Sequence, residues 1–189
     1  MYDAEILNSA DYFVPQTRRR FIFRAVQGLL RPMPAPSRWM GWYEAIEDLI
    51  DTLPASEFAP WQLARLPAEP QTFLAAGSGN TNFNDATPGF GMRESDEPSH
   101  VISADGGGRI PRAFITRHRI DHYRAFIVGA LPHAWLSQGR VVKMTPRALA
   151  RFQSFPDWYQ LPGNISLACK IIGNAVPPLM YKAIAESLT

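Results

Sequence analysis

Arginine is gathered at two places in this sequence, and that placement, more than the net charge of +2, sets which partners the chain can meet. Arg18, Arg19, Arg20 and Arg24 form the first group. Arg109, Arg112, Arg117, Arg119 and Arg124 form the second, with His118, His122 and Tyr123 interleaved. A guanidinium is planar, permanently charged and able to make paired hydrogen bonds, so it can fix a phosphate or the polar edge of a base where lysine acts as a loose point charge. The Gly106-Gly107-Gly108 run ahead of Arg109 and Arg112 would let backbone approach a groove and present a guanidinium to guanine. Arg117, Arg119 and Arg124 suit contacts to DNA phosphates. Taken alone, either group is explained equally well by a solvated basic surface.

Other chemistry is less well provided for. His118 and His122 stand four apart with Asp121 between them and would share a face if the segment were helical, a spacing open to metal binding. Phosphate contact by the surrounding arginines accounts for the segment more economically, and no metal is expected. Cys169 is the one cysteine, which excludes an internal disulfide and a thiolate zinc cluster. It follows Leu167-Ala168 in an apolar stretch, where a buried, inert thiol is the expectation. Residues 73 to 80, Phe-Leu-Ala-Ala-Gly-Ser-Gly-Asn, look superficially like the glycine loop of a cofactor-binding fold. The required helix does not follow: Asn82, Asn84, Asp85, Pro88, Gly89 and Gly91 make the next stretch a loop.

The elements that must position these groups can be read from periodicity. Residues 20 to 26 alternate as a strand, with Phe21, Phe23 and Ala25 on one face and Arg20, Ile22 and Arg24 on the other. The Pro-Met-Pro-Ala-Pro run at 32 to 36 can continue neither a strand nor a helix and marks a boundary. From Ser37, Trp42, Ile46, Leu49, Ile50 and Leu53 recur at helical spacing up to Pro54. A further helical turn is expected within 58 to 66, and residues 77 to 97 read as loop. Short strands are expected at Val101-Ile102-Ser103 and Ala113-Phe114-Ile115. Thr145-Pro146 is a cap followed by proline at the first helical position, with Leu149 and Phe152 facing inward and Pro156 ending the helix. Leu167, Ala168 and Ile171 suggest the next helix, closed by Gly173-Asn174. Pro177-Pro178 opens a last one, with Met180, Ala183, Ile184 and Leu188 apolar.

Composition bounds the class. Hydrophobic residues make up 46% and charged residues 19%, a globular balance, and no apolar run is long enough to cross a bilayer. The start, Met1-Tyr2-Asp3-Ala4-Glu5, has neither the basic nor the apolar part of a secretion signal, so a cytoplasmic location is expected.

Three segments then narrow the function: Asp11-Tyr12-Phe13-Val14-Pro15-Gln16-Thr17-Arg18-Arg19-Arg20, Thr145-Pro146-Arg147 through Gln153-Ser154-Phe155-Pro156-Asp157, and Ile172-Gly173-Asn174-Ala175-Val176-Pro177-Pro178. In order and spacing they resemble the C-terminal motifs of the DNA (cytosine-5)-methyltransferases, and the resemblance spans essentially the whole chain. It implies base flipping, because cytosine inside a duplex hides its ring. Gln16, Arg18 and Arg20 match the family's Gln-x-Arg-x-Arg, whose arginines order the active site and contact the extruded cytosine, with Arg20 placed on the base carbonyl. The second segment implies a helix that organises the recognition region, with Arg147, Arg151, Gln153 and Asp157 as scaffold. The third implies a turn in which Asn174, Ala175 and Val176 line the S-adenosylmethionine pocket. Phe13 departs from the family, which commonly has glycine there.

The resemblance also shows what this sequence does not contain. Methyl transfer to carbon 5 needs a thiolate added to carbon 6, carried by a Pro-Cys segment, and no such segment occurs here. The expected architecture is α+β. Residues 1 to 31 would give a strand segment of an incomplete Rossmann-like methyltransferase domain, 32 to 140 an irregular β-rich target-recognition domain, and 141 to 189 helices returning to the first. The expected partners are duplex DNA and a complementary N-terminal methyltransferase subunit, with no membrane. Arg109, Arg112, Arg117, Arg119 and Arg124 are the DNA-facing candidates. The alternative is a non-catalytic DNA-binding remnant.

Overall fold

The computed structural model describes residues 1–58, 71–75, 92–102, 111–116 and 139–188. The described residues form an α+β arrangement of two antiparallel sheets and four short helices. The first sheet is a hairpin of β1 (Tyr2–Asn8) and β2 (Arg19–Ala25), paired from Tyr2 with Ala25 to Asn8 with Arg19. A 3-10 turn at Ser9–Tyr12 joins them, and Asn8 caps it by accepting from the Ala10 amide. The second sheet has the order β4-β3-β5-β6, built from β3 (Phe73–Ala75), β4 (Met92–Glu94), β5 (Arg112–Thr116) and β6 (Gly139–Lys143).

Alternation in β2 is as the sequence implies, but the inward face is the arginine face. Phe21 and Phe23 are 68% and 61% exposed, while Arg24 is 3% exposed. Opposite them in β1, Tyr2 and Ile6 are exposed as well, so one whole side of the hairpin is apolar and bare. The other side packs Leu7 and Ile22 with Tyr12, Val14 and Met33 against Met180, Ala183 and Ile184 of the last helix. Arg24 reaches the Asp3 carboxylate at 2.5 and 2.9 Å, Ser187 at 2.5 Å and the Arg31 carbonyl at 2.9 Å. It therefore leaves the basic cluster read from the sequence and serves as an internal tie.

The proline-rich segment after β2 forms no regular element but is pinned to the hairpin. Ser37 N–H donates to the Asp11 carbonyl at 2.6 Å, and Trp39 Nε1 donates to the Asp11 carboxylate at 2.8 Å. The helix expected from Ser37 starts later, as α1 (Trp42–Ile46), and tightens into a 3-10 stretch at Glu47–Thr52. No side chain caps α1. Its first amides instead donate to the carbonyls of Glu97 (2.8 Å) and Ser95 (3.2 Å), which requires very close backbone approach at Gly41.

Thr145 caps α2 (Pro146–Phe152), accepting from Ala148 N–H at 3.3 Å, with Pro146 in the first turn. It ends before Pro156, at Gln153, with Ser154 left-handed at φ 60°. Asn164 caps α3 (Ile165–Asn174), and α4 (Pro178–Glu186) begins at the predicted proline pair. Gly173 and Asn174 close α3 from inside its last turn, with Ala175 as the C-cap. The main core joins α1, the four-stranded sheet, α2 and α3 through Trp42, Ile46, Leu74, Val142, Leu149, Phe152, Cys169 and Ile172.

Three expectations are corrected. Residues 92 to 94, read as loop, form β4 because their backbone completes the edge of β3. Residues 139 to 143, read as no element, form β6 on β5. Val101 and Ile102 do not form a strand. The helical turn expected within 58 to 66 lies almost wholly outside the described residues. Among the described residues, no helix is long and apolar enough to cross a membrane.

Candidate functional site

The site is assembled where three distant stretches meet: the lead-in to β2, residues 99 to 102, and the C-terminal turn of α3. Phe13 turns the chain in the left-handed region at φ 60°, which explains why glycine suits that position. Beyond it, Pro15 to Thr17 runs beside Ser99. Ser99 N–H donates to the Pro15 carbonyl and Thr17 N–H to the Ser99 carbonyl, each at 3.0 Å. Ser9 Oγ donates to the Gln16 carbonyl at 2.7 Å, and Asn8 Oδ1 accepts from Arg18 N–H at 3.0 Å. The backbone carrying Gln16 and Arg18 is thus held from both sides.

The three residues of the Gln-x-Arg-x-Arg segment sit in different environments. Gln16 is fully buried, and among the described residues neither its Oε1 nor its Nε2 has a hydrogen-bond partner. Arg18 is buried too, with Nη2 donating to the Gly173 carbonyl at 2.6 Å and Nη1 to the Ile102 carbonyl at 3.3 Å. Burial, and then the neighbouring Arg20 charge, pushes its pKa down to about 10, so it remains cationic at neutral pH. Arg20 is half-buried on the strand, and its one hydrogen bond among the described residues is to the Arg19 carbonyl at 2.8 Å. Its guanidinium keeps most of its donors available.

Arg18 therefore brings the first motif to the third. At the turn, Asn174 and Val176 are exposed and Ala175 is half-buried. The Asn174 side chain makes no hydrogen bond among the described residues, so its amide is open to a ligand. The second motif joins them: Gln153, fully buried, donates from Nε2 to the carbonyls of Ile172 (2.8 Å) and Ala175 (3.2 Å). Sequence reasoning gave Gln153 a scaffold role without placing it at this turn. Its one signal was an amide directly after the inward-facing Phe152.

The remaining motif residues are scaffold. Arg147 donates to the carbonyls of Tyr159 at 2.7 Å and Pro156 at 3.4 Å. Arg151 grips the carboxylates of Asp48 and Asp157, which raises its own pKa and lowers both of theirs. Cys169 is buried in the core, and desolvation pushes its thiol up, as a non-reactive group requires. Arg109, Arg117, Arg119 and Arg124 lie outside the described residues, as do His118 and His122. Arg112 is placed only by its backbone in β5, paired with Ala75 and Lys143. Among the described residues no group of three or more His, Cys, Asp or Glu could hold a metal ion.

Arg18 and Gln153 thus bring the three segments together at the end of α3. The chain belongs to the C-5 cytosine-specific DNA methylase family, whose pattern matches residues 1–189. It is similar to the type II methyltransferase M.XorII of Xanthomonas oryzae pv. oryzae, 26% identical over 218 residues that cover 98% of this chain and 50% of that protein. Type II methyltransferase M1.HphI of Haemophilus parahaemolyticus is 27% identical over 196 residues, 97% of this chain and 46% of that protein. A shorter match, 53% identical over 53 residues, covers 28% of this chain and 15% of type II methyltransferase M.AplI of Arthrospira platensis. The chain spans about half the length of the relatives that it matches from end to end.

Proposed function

We propose that this chain supplies target recognition and one wall of the reaction pocket of a type II DNA (cytosine-5)-methyltransferase. In this reading the catalytic thiolate and most of the cofactor site come from an N-terminal half. Arg20 holds the carbonyl of a cytosine flipped out of duplex DNA, and Gln16 and Arg18 order the pocket around it. Asn174, with the backbone at Ala175 and Val176, lines the place of S-adenosylmethionine, which when bound supplies the methyl group. The exposed amide of Asn174 and the open turn fit a polar cofactor on one side only. Arg109, Arg112, Arg117, Arg119 and Arg124 are the proposed DNA contacts of the recognition region.

The observation that carries this reading is the 2.6 Å bond from Arg18 to the Gly173 carbonyl, 155 residues away in sequence. It puts the segment matching Gln-x-Arg-x-Arg beside the segment matching Gly-Asn-Ala-Val-Pro-Pro. Dependence on an N-terminal half draws support from two further facts. The single cysteine of the sequence is buried with its thiol pushed up, so it is no nucleophile. The hairpin leaves Tyr2, Ile6, Phe21 and Phe23 bare, and a two-stranded sheet with an uncovered apolar face calls for further protein on it.

The test is transfer of labelled methyl groups to duplex DNA. The purified 189-residue chain should transfer none by itself, and should transfer them once co-expressed with a methyltransferase half that carries Pro-Cys and a glycine-rich cofactor motif. Arg20→Ala should then remove most of the restored activity. Methylation by the chain alone overturns the proposal. Salt-dependent DNA binding that never leads to methylation with any such half would mark the chain as a non-catalytic binding remnant.

A further inference from the structure

We infer that Arg18 and Gln153 form a buried clamp on the turn that ends α3, so that Arg18 acts on the reaction by positioning and Arg20 alone of the two arginines is left to touch the base. The inference rests on the functional reading above and divides the work within the Gln-x-Arg-x-Arg segment.

A helix leaves its last carbonyls short of partners, and an end left bare inside protein is costly. At the end of α3 the Ala175 N–H serves the carbonyls of Ile171 (3.1 Å) and Ile172 (3.3 Å) and leaves that of Gly173 to another donor. Here the carbonyls of Ile172 and Ala175 accept from the one Gln153 amide, and the carbonyl of Gly173 between them accepts from Arg18. The two donors come from separate elements, the lead-in to β2 and the end of α2. They converge on three carbonyls within residues 172 to 175, and what remains outward is Asn174 and Val176, the residues with exposed side chains. A cation at the negative end of the helix is the electrostatically favoured choice.

Arg18 does a second thing at the same time. Its other nitrogen donates to the Ile102 carbonyl, at the end of the stretch that Ser99 ties to Pro15 and Thr17. One fixed fork thus joins the strand, the approach to the recognition region and the cofactor-side turn. A lysine has no two donors held in that geometry. Both hydrogen-bonding guanidinium nitrogens are committed to backbone carbonyls, so turning one to a base would leave a buried carbonyl unpaired. Arg20, two residues on and half-buried, is bonded among the described residues only to the neighbouring Arg19 carbonyl and carries no such commitment.

The experiment is amide hydrogen exchange on the chain itself, followed by kinetics on the reconstituted enzyme. Arg18→Lys should speed exchange about tenfold in peptides covering 99–102 and 172–176 and leave β5 and β6 unchanged, since one local hydrogen bond is lost without global unfolding. Gln153→Asn, too short to reach both carbonyls, should speed exchange in 172–176 only, and provides a second test if the arginine variant folds poorly. Arg20→Lys should alter neither. In the reconstituted enzyme the first two variants should raise KM for the methyl donor several-fold more than they change kcat, whereas Arg20→Lys should lower kcat with little change in that KM. Unchanged exchange at 172–176 in both clamp variants overturns the clamp whatever the activity, and so does an Arg18→Lys enzyme with kinetics like those of Arg20→Lys. Exchange that behaves as expected, with no methylation by any combination of halves, leaves the clamp standing and removes the functional reading instead.

Discussion

The two sheets of this protein are finished to different degrees. One face of the four-stranded sheet is covered by α1, α2 and α3 and the other packs Phe73, Ala75 and Val141 with Phe58, and Trp42, Phe73, Leu74 and Phe152 are completely buried. The hairpin is covered on one face only, by α4, and presents Tyr2, Ile6, Phe21 and Phe23 to solvent on the other. Both obey the same alternation of side chains along a strand. What separates them is whether the chain supplies a second layer, and the candidate site lies at the join. The four-stranded sheet is thus closed by the chain itself, and the hairpin that carries the arginine ribbon is left open on one face.

The sharpest way to break this contrast is to remove matching aromatics from the two regions. Phe152→Ala should lower the unfolding free energy by about 3–5 kcal/mol, as loss of a fully enclosed ring does. Phe21→Ser with Phe23→Ser should change it by about 0.5 kcal/mol or less, because little contact is lost. Urea titration of both variants makes the comparison. The double variant should also sediment with less self-association than the parent. Equal destabilisation by the two changes would mean that the hairpin face is covered after all.

The next effect tests how tightly the region around the four-stranded sheet is built. A methyl group on Gly41 would meet the Ser95 carbonyl oxygen at 2.5 Å and Asp96 Cα at 2.7 Å, backbone atoms that cannot swing aside. Gly41→Ala should cost about 1–3 kcal/mol in the same titration, since α1 must shift off the carbonyls that cap it. A neutral result would show that this corner gives way freely.

A smaller, pH-dependent effect comes from the tie between α1 and α2. Hydrogen bonds from Arg151 hold the Asp48 and Asp157 carboxyls below their ordinary value of 3.8. A depressed folded value gives stabilisation that is complete above the unfolded pKa and is lost as pH falls through the folded one. The difference in melting temperature between parent and Arg151→Leu should thus be full at about pH 6 and shrink below about pH 3.8. A gap that persists in acid would assign the role of Arg151 to packing.

What the sequence made legible follows the range of the physics involved. The starts of α2 and α4 were readable because Thr145-Pro146 and Pro177-Pro178 act within one turn of themselves. The edge strand β4 and the strand β6 were not, since strands of three and five residues exist only through partners elsewhere in the chain. In β2 the period was legible and its sense was not: alternation names two faces, and only α4 decides that the one bearing Arg24 turns inward. The same limit applies within the site. Gln16, Arg18 and Arg20 were marked as a group, but two residues of the same type separate into a buried tie and an open guanidinium only once Gly173 and Ile102 are in place. Asp11 and Trp39, which fasten the proline segment, left no signal of their own.

The smallest expected change lies beside the half-open hairpin, at Phe13. Its backbone is left-handed, which for a side chain with a Cβ costs about 1–2 kcal/mol that glycine would not incur. Two losses oppose that gain. Glycine gives the unfolded chain more freedom, worth about 0.5–1 kcal/mol. The ring also sits under the Arg38 guanidinium, 4.7 Å from its centroid, and such a contact contributes about 0.5–1 kcal/mol near the surface. Phe13→Gly should therefore leave stability within about 1 kcal/mol of the parent, although it removes a whole aromatic side chain. A loss comparable to that of Phe152→Ala would show that the bend before Gln16 is held by its own packing. Then the hairpin side would be packed as firmly as the four-stranded sheet, in spite of its bare face.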